Sequence, residues 1–153
     1  MANTYTKLYV QTIFAVKYRK AQINKKWRHH LFGVIGNFIN EMKCKTILVN
    51  GVEDHLHCLM GMKPDVSVSD LMKSVKARSS KHINDHRLTQ VQFRWQEGYG
   101  AFTYSQSDLD AVYRYIRNQE EHHKEISFRE EYIGLLEEFN IDYNEQYIFK
   151  DLE

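Results

Sequence analysis

The chain has 153 residues, 42% hydrophobic and 27% charged, a size and balance suited to one compact domain, residues 1–153, around a single core. Two cysteines are too few for a disulfide framework, and no stretch approaches the roughly 20 apolar residues of a membrane span. The net charge of +1 hides an asymmetry: residues 1–90 hold 15 Lys and Arg against 6 Asp and Glu (15 − 6 = +9), and residues 91–153 hold 6 against 14 (6 − 14 = −8). That distribution implies a basic working surface followed by an acidic C-terminal tail over residues 126–153. No signal peptide is apparent, so the expected location is the cytoplasm, with no membrane partner.

Residues 8–16 are rich in β-branched and aromatic side chains and predict a strand, followed by the basic turn Lys17-Tyr18-Arg19-Lys20. A helix is expected over residues 24–43, where Trp27, Leu31, Val34, Phe38 and Met42 recur at helical spacing behind the N-cap candidate Asn24. Strands over 46–52 and 55–62, joined by Glu53-Asp54, predict an antiparallel hairpin. Ser67-Val68-Ser69-Asp70 has the form of a capping box opening a second helix. Short strands at 91–95 and 101–104 then flank the Glu97-Gly98-Tyr99-Gly100 turn. Ser107 is the expected cap of a third helix reaching about residue 125. The order β-α-β-β-α-β-β-α predicts an α+β, ferredoxin-like antiparallel sheet with helices on one face.

Two local patterns carry chemistry. In Asp54-His55-Leu56-His57-Cys58 the alternation of a strand points His55 and His57 to one face and Leu56 and Cys58 to the other, so two imidazoles stand side by side as potential metal ligands. On the third helix Tyr115 and Gln119 lie four residues apart, with His122 on the same ridge, beside an apolar stripe of Leu109, Val112, Tyr113 and Ile116. Two neutral imidazoles and an amide oxygen would hold a divalent cation without cancelling its charge, and a neighbouring tyrosine hydroxyl could attack a polarised phosphate. Mixed N/O ligation suits Mg²⁺ or Mn²⁺, with Zn²⁺ not excluded. Tyr113 is a rival nucleophile. His122 and His123 are either proton-transfer partners or simple surface histidines, and Trp95 and Tyr99 are either stacking groups or core.

These motifs, in this order, resemble the single-tyrosine HUH transposases of the insertion-sequence 200/605 group. The resemblance rests on Lys17-Tyr18-Arg19, Asp54-His55-Leu56-His57, Pro64 and Ser67, Lys76 with Ser79-Ser80, the segment Trp95 to Phe102, and Tyr115 to His123. It implies the HUH endonuclease fold and DNA cleavage with Tyr115 as nucleophile and His55, His57 and Gln119 as metal ligands. It also implies transposition through a 5′-phosphotyrosine on single-stranded DNA, recognition of imperfect hairpins at element ends, and a homodimer with merged sheets. Lys17, Arg19, Lys20, Lys73, Lys76, Arg78 and Lys81 are the candidate DNA contacts, since phosphates call for Lys and Arg. The second helix departs from many relatives in having Ala77 where a glycine is expected. A hairpin-binding relative without mobilising activity, and an unrelated metal hydrolase built on His55 and His57, are the competing readings. The hydrolase lacks an acidic ligand near the pair and leaves Tyr115 and Gln119 unexplained.

Overall fold

The computed structural model describes residues 3–153. Four strands, β1 (Tyr9–Ala15), β2 (Lys45–Gly51), β3 (His55–Gly61) and β4 (Gly100–Tyr104), form one antiparallel sheet in the order β2-β3-β1-β4. Helix α1 (Lys25–Glu41) crosses from β1 to β2, and α2 (Val68–Asp85) crosses from β3 to β4. This is the ferredoxin-like α+β arrangement that the element order predicts. Both expected caps are in place: Asn24 Oδ1 accepts from the Lys26 amide at 2.9 Å, and Ser67 Oγ accepts from the Asp70 amide at 3.0 Å.

Cross-strand partners share a sheet face, so the register sorts the side chains. Val10, Thr12 and Phe14 pair with Met60, Cys58 and Leu56 on one face, while Gln11, Ile13 and Ala15 pair with Leu59, His57 and His55 on the other. The first face packs on α1 and α2 through Leu31, Ile35, Leu71, Met72 and Val75, all fully buried. Each such side chain contributes about 1.5–3 kcal/mol.

The second face is covered as well. Helices α3 (Leu109–Arg117), α4 (Gln119–His122) and α5 (Phe128–Glu138) follow β4, and α5 and its C-terminal end set Tyr132 against Gly100 and Phe139 against Phe102. The stretch read as an acidic tail therefore contributes Phe128, Tyr132, Leu135, Leu136 and Phe149 to the core. On α5, Glu130, Glu137 and Glu138 sit on the exposed side, with one acidic exception that matters below.

Three expected details are corrected. Residues 91–95 form no strand of the sheet: an isolated Val16–Trp95 bridge joins them to the chain just after β1, and the Trp95 ring packs edge-on against Phe14 of β1. The Asn84 side chain takes the place of a strand neighbour, accepting from the Phe93 amide at 2.7 Å and donating to its carbonyl at 3.1 Å. Ser107 does not cap the third helix, because a 3₁₀ turn over Gln106–Asp108 leads into α3. The long helix is interrupted at Asn118, where Asn50 of β2 donates to the carbonyls of Ile116 and Arg117 at 2.9 and 3.1 Å and satisfies acceptors that a helix end leaves free. Among the described residues no helix is long and apolar enough to cross a membrane.

Candidate metal and nucleophile site

The alternation of β3 places His55 and His57 on the face toward α3–α5, with ring centroids 5.1 Å apart and both rings fully buried. Each ring is held from behind. Nδ1 of His55 lies 2.7 Å from Asp54 Oδ1, and Nδ1 of His57 lies 2.6 Å from Gln11 Oε1. With Nδ1–H donating to these oxygens, each Nε2 faces the centre, carrying either a proton for Glu131 or, once deprotonated, the lone pair by which histidine ligates a metal. Phe128 stacks on the His55 ring at 3.9 Å between centroids, fixing its plane.

The helix above completes the set. Gln119, fully buried, brings Oε1 to 3.1 Å from His55 Nε2. Tyr115, one turn earlier on α3, has its ring centroid 6.3 Å from that of His57. The spacing of four residues survives the break at Asn118, and the structure brings His55, His57, Tyr115 and Gln119 together within one chain. Tyr113 makes none of these contacts.

One central member escaped the sequence reading. Glu131 of α5, only 5% exposed, places Oε1 3.3 Å from His55 Nε2 and 3.2 Å from both His57 Nε2 and His123 Nε2. Its Oε2 accepts from the Tyr115 hydroxyl and, at 3.0 Å, from Gln119 Nε2. His55, His57 and Glu131 form a buried group able to hold a metal ion, which corrects the expectation of no acidic ligand near the pair. His123 is no surface residue either, since its Nε2 lies 3.0 Å from Gln119 Oε1. The only signal in the sequence was position: Glu131 falls three residues after Phe128 and one before Tyr132, among apolar residues with helical spacing.

Electrostatics follow from burial and these contacts. Desolvation penalises a charged Glu131, but its bonds to His123, His55 and His57 outweigh that and hold its carboxyl well below the ordinary carboxylate range. Burial disfavours a charged His55, yet Asp54 and Glu131 raise it above an ordinary imidazole. His57 is lowered, with burial prevailing over Glu131. Burial first, and the Glu131 charge second, push the Tyr115 phenol far above its usual value, so the side chain is a hydroxyl in this state. A cleft of about 470 Å³ reaches Tyr115 and Glu131 between Tyr104, Ala111, Val112 and Leu135, with Glu130 and Glu138 also in its wall.

The seven candidate DNA contacts lie outside this cluster. Lys76 spends its ammonium on the turn before β4, donating to the carbonyls of Gln96 and Gly98, both at 2.7 Å. Arg78 pairs with Glu41 at 2.5 Å and covers the Phe38 ring, and Lys81 pairs with Asp85 at 2.5 Å. Lys17, half-buried, lies over the Tyr18 ring. Arg19, Lys20 and Lys73 are exposed, with Arg19 in the wall of a small cavity that also reaches Asp54 and Phe128. Trp95 belongs to the core, with Nε1 donating to Ser79 at 3.0 Å.

Comparison with known proteins bears on the fold and the family. No curated protein sequence matches the chain. A solved structure of a protein from Deinococcus radiodurans R1, assigned as a transposase, is similar at a TM-score of 0.62 and 22% identity, covering 78% of this chain and 95% of that one. A REP-associated tyrosine transposase, solved bound to a REP hairpin, is similar at 0.60 and 15% identity, covering 82% and 74%. Both establish likeness of fold. The family model described as "Transposase IS200 like" matches residues 4–119, from before β1 through Gln119, and the chain therefore belongs to the IS200-like transposase family.

Proposed function

We propose that this chain is a DNA strand-transfer enzyme that cleaves and rejoins single-stranded DNA at insertion-sequence ends with Tyr115 as nucleophile, in the presence of Mg²⁺ or Mn²⁺. The observation that carries the reading is the convergence of the Tyr115 hydroxyl, two imidazoles and the Gln119 amide on one buried point of a single chain. The donor set fits a divalent cation: both histidines turn Nε2 inward with Nδ1 engaged elsewhere, and the neighbouring oxygens are an amide and a carboxylate. A cation held by His55, His57 and Gln119 would polarise a phosphate oxygen and offset the charge that builds up as the phosphate is attacked.

The residues themselves divide the remaining work. Tyr115 lines the open cleft, so an entering strand passes along its side chain. Its oxygen forms a bond to phosphorus while the bond to the 3′-oxygen breaks, leaving a 5′-phosphotyrosine on the enzyme and a free 3′-hydroxyl on the DNA. Attack of such a hydroxyl on the phosphotyrosine reverses the step and joins new ends. Glu130, Glu131 and Glu138 around the cleft repel a phosphate, which is why cleavage by this site calls for a bound cation. The likeness to a transposase bound to a REP hairpin supports imperfect DNA hairpins as the partner. The homodimer remains part of this reading. Because Tyr115 reaches the histidines of its own chain, a second copy is not needed to supply the nucleophile.

The test is direct. Single-stranded DNA carrying an element-end hairpin, incubated with the protein and Mn²⁺ or Mg²⁺, is expected to give a covalent adduct that survives denaturing electrophoresis. Tyr115→Phe is expected to form none while still binding the hairpin. An adduct on the Phe variant refutes the assignment of the nucleophile.

A further inference from the structure

The family match stops at residue 119, but the buried centre does not. Glu131, supplied by α5, is enclosed by three imidazoles, an amide and a phenol, with no Lys or Arg among its hydrogen-bond or ion-pair partners. A buried carboxylate with no permanent cation beside it is costly, so its placement needs a reason.

The tautomers sharpen the point. Asp54 and Gln11 engage Nδ1 of His55 and His57, so each ring, once it has given up any Nε2 proton, turns a lone pair toward the centre. Glu131 Oε1 and Gln119 Oε1 turn lone pairs to the same place. Four acceptors thus converge, with His55 Nε2 3.1 Å from Gln119 Oε1 and 3.3 Å from Glu131 Oε1, and His57 Nε2 3.2 Å from Glu131 Oε1. Acceptors facing acceptors repel unless positive charge lies among them, as protons on the imidazoles, His123 included at 3.2 Å from Glu131 Oε1, or as a bound cation that displaces those protons. Ligand atoms that share one ion at about 2.0–2.2 Å stand on the order of 3 Å apart, which is the separation found here.

We propose that Glu131 is itself a protein ligand of the divalent cation, through Oε1, while its Oε2 docks the Tyr115 hydroxyl, so that α5 ties the nucleophile to the metal. The proposal rests on the metal-dependent reading above. It replaces a neutral ligand set by two imidazoles, one amide and one carboxylate, and so reduces the formal charge at the site from +2 to +1. Imidazole and carboxylate donors together bind Mn²⁺ better than Mg²⁺, which keeps its waters and prefers oxygen. Glu131 also becomes a positioning residue for Tyr115, because one carboxylate touches both.

Mn²⁺ alone is the probe, with uptake by the full chain followed through the electron paramagnetic resonance signal of the free ion. Wild type is expected to take up one Mn²⁺ per chain, and Glu131→Gln to bind at least about tenfold more weakly, the loss typical even of groups that only support a ligand. Glu137→Gln, an exposed change on the same helix, is expected to bind as wild type does. Glu131→Asp keeps the charge but withdraws it from the centre, and it too is expected to bind more weakly. The Asp variant decides the matter should the Gln variant fail to fold. Wild-type affinity in a folded Glu131 variant, alongside its loss in His57→Ala, overturns the proposal and spares the metal-dependent reading. A wild-type chain that takes up no Mn²⁺ defeats that reading and the proposal together.

Discussion

The Asp54 carboxylate lies 2.7 Å from Nδ1 of His55, the very next residue. Adjacent residues at the mouth of a strand rarely bond side chain to side chain, since strand neighbours point to opposite faces. Asp54 manages it because it sits in the β2–β3 turn, just before β3 begins at His55, where its backbone carbonyl accepts from the Val16 amide at 2.8 Å. The expected consequence is that Asp54→Ala leaves the hairpin in place but frees the His55 ring. Mn²⁺ affinity should drop about 10–100-fold, as for other groups that orient a metal-ligating histidine. Calorimetric titration checks this, and unchanged affinity would show that Phe128 stacking alone fixes the ring.

Metal binding should be pH-dependent in a defined direction. Burial opposes a charge on His55, but Asp54 and Glu131 together raise its pKa above the ordinary 6.5, so the metal-free site keeps a proton there to higher pH than a free imidazole would. A metal must displace that proton. Apparent Mn²⁺ affinity should therefore be full well above neutrality and fall as pH drops through the raised value. His57 is shifted the other way, so its proton is already gone over that range. Asp54→Ala removes one of the raising partners and should move the fall to lower pH, which a pH series of titrations on both proteins would show.

Lysines that look equivalent in sequence should behave differently. Lys76 Nζ is anchored on the Gln96 and Gly98 carbonyls, and burial lowers its pKa despite the nearby Glu97. Lys76→Ala is expected to lower the melting temperature, because two carbonyls of the turn before β4 lose a charged donor worth about 1.5–3 kcal/mol in such bonds. Lys73 is exposed and makes no hydrogen bond or ion pair among the described residues. Lys73→Ala should leave stability unchanged, and if Lys73 meets a phosphate it should reduce the salt dependence of single-strand binding by about 0.7 in slope.

The contrast between these lysines also shows what a sequence can and cannot convey. Periodicity two placed His55 and His57 on one face, and a spacing of four put Tyr115 beside Gln119. Both are local rules, and both survive in the structure. Asn24 and Ser67 were legible for the same reason, since a cap acts within three residues. Residues 91–95 misled because their composition favours a strand, while the Asn84 side chain supplies the hydrogen bonds that a neighbouring strand would have given. Glu131 was invisible because its meaning depends on partners 74 and 76 residues away, and an acidic residue in an acidic segment carries no local mark. The apolar run Phe128, Tyr132, Leu135 and Leu136 did signal that α5 has a buried side. It could not say that the side faces two histidines.

That placement can be probed from the sheet. Gly100 opens β4 opposite α5, and a Cβ added there would meet Cε1 and Oη of Tyr132 at 2.7 Å and the Phe102 ring at 3.1 Å. Tyr132 is the residue after Glu131 and is itself buried, so it has little room to yield except by moving α5 outward. Gly100→Ala is therefore expected to cost about 1–3 kcal/mol of stability, the range for overpacking a filled core. It should also weaken Mn²⁺ binding, because the carboxylate travels with the helix. Gly134, on the same helix, meets nothing within 4 Å and is exposed. Gly134→Ala should instead stabilise by about 0.4–1 kcal/mol, through lower chain entropy in the unfolded state, with no change in metal affinity. Urea denaturation and Mn²⁺ titration of the two variants separate the cases. Metal affinity retained in a destabilised Gly100→Ala would mean that α5 can shift without carrying Glu131 out of the site.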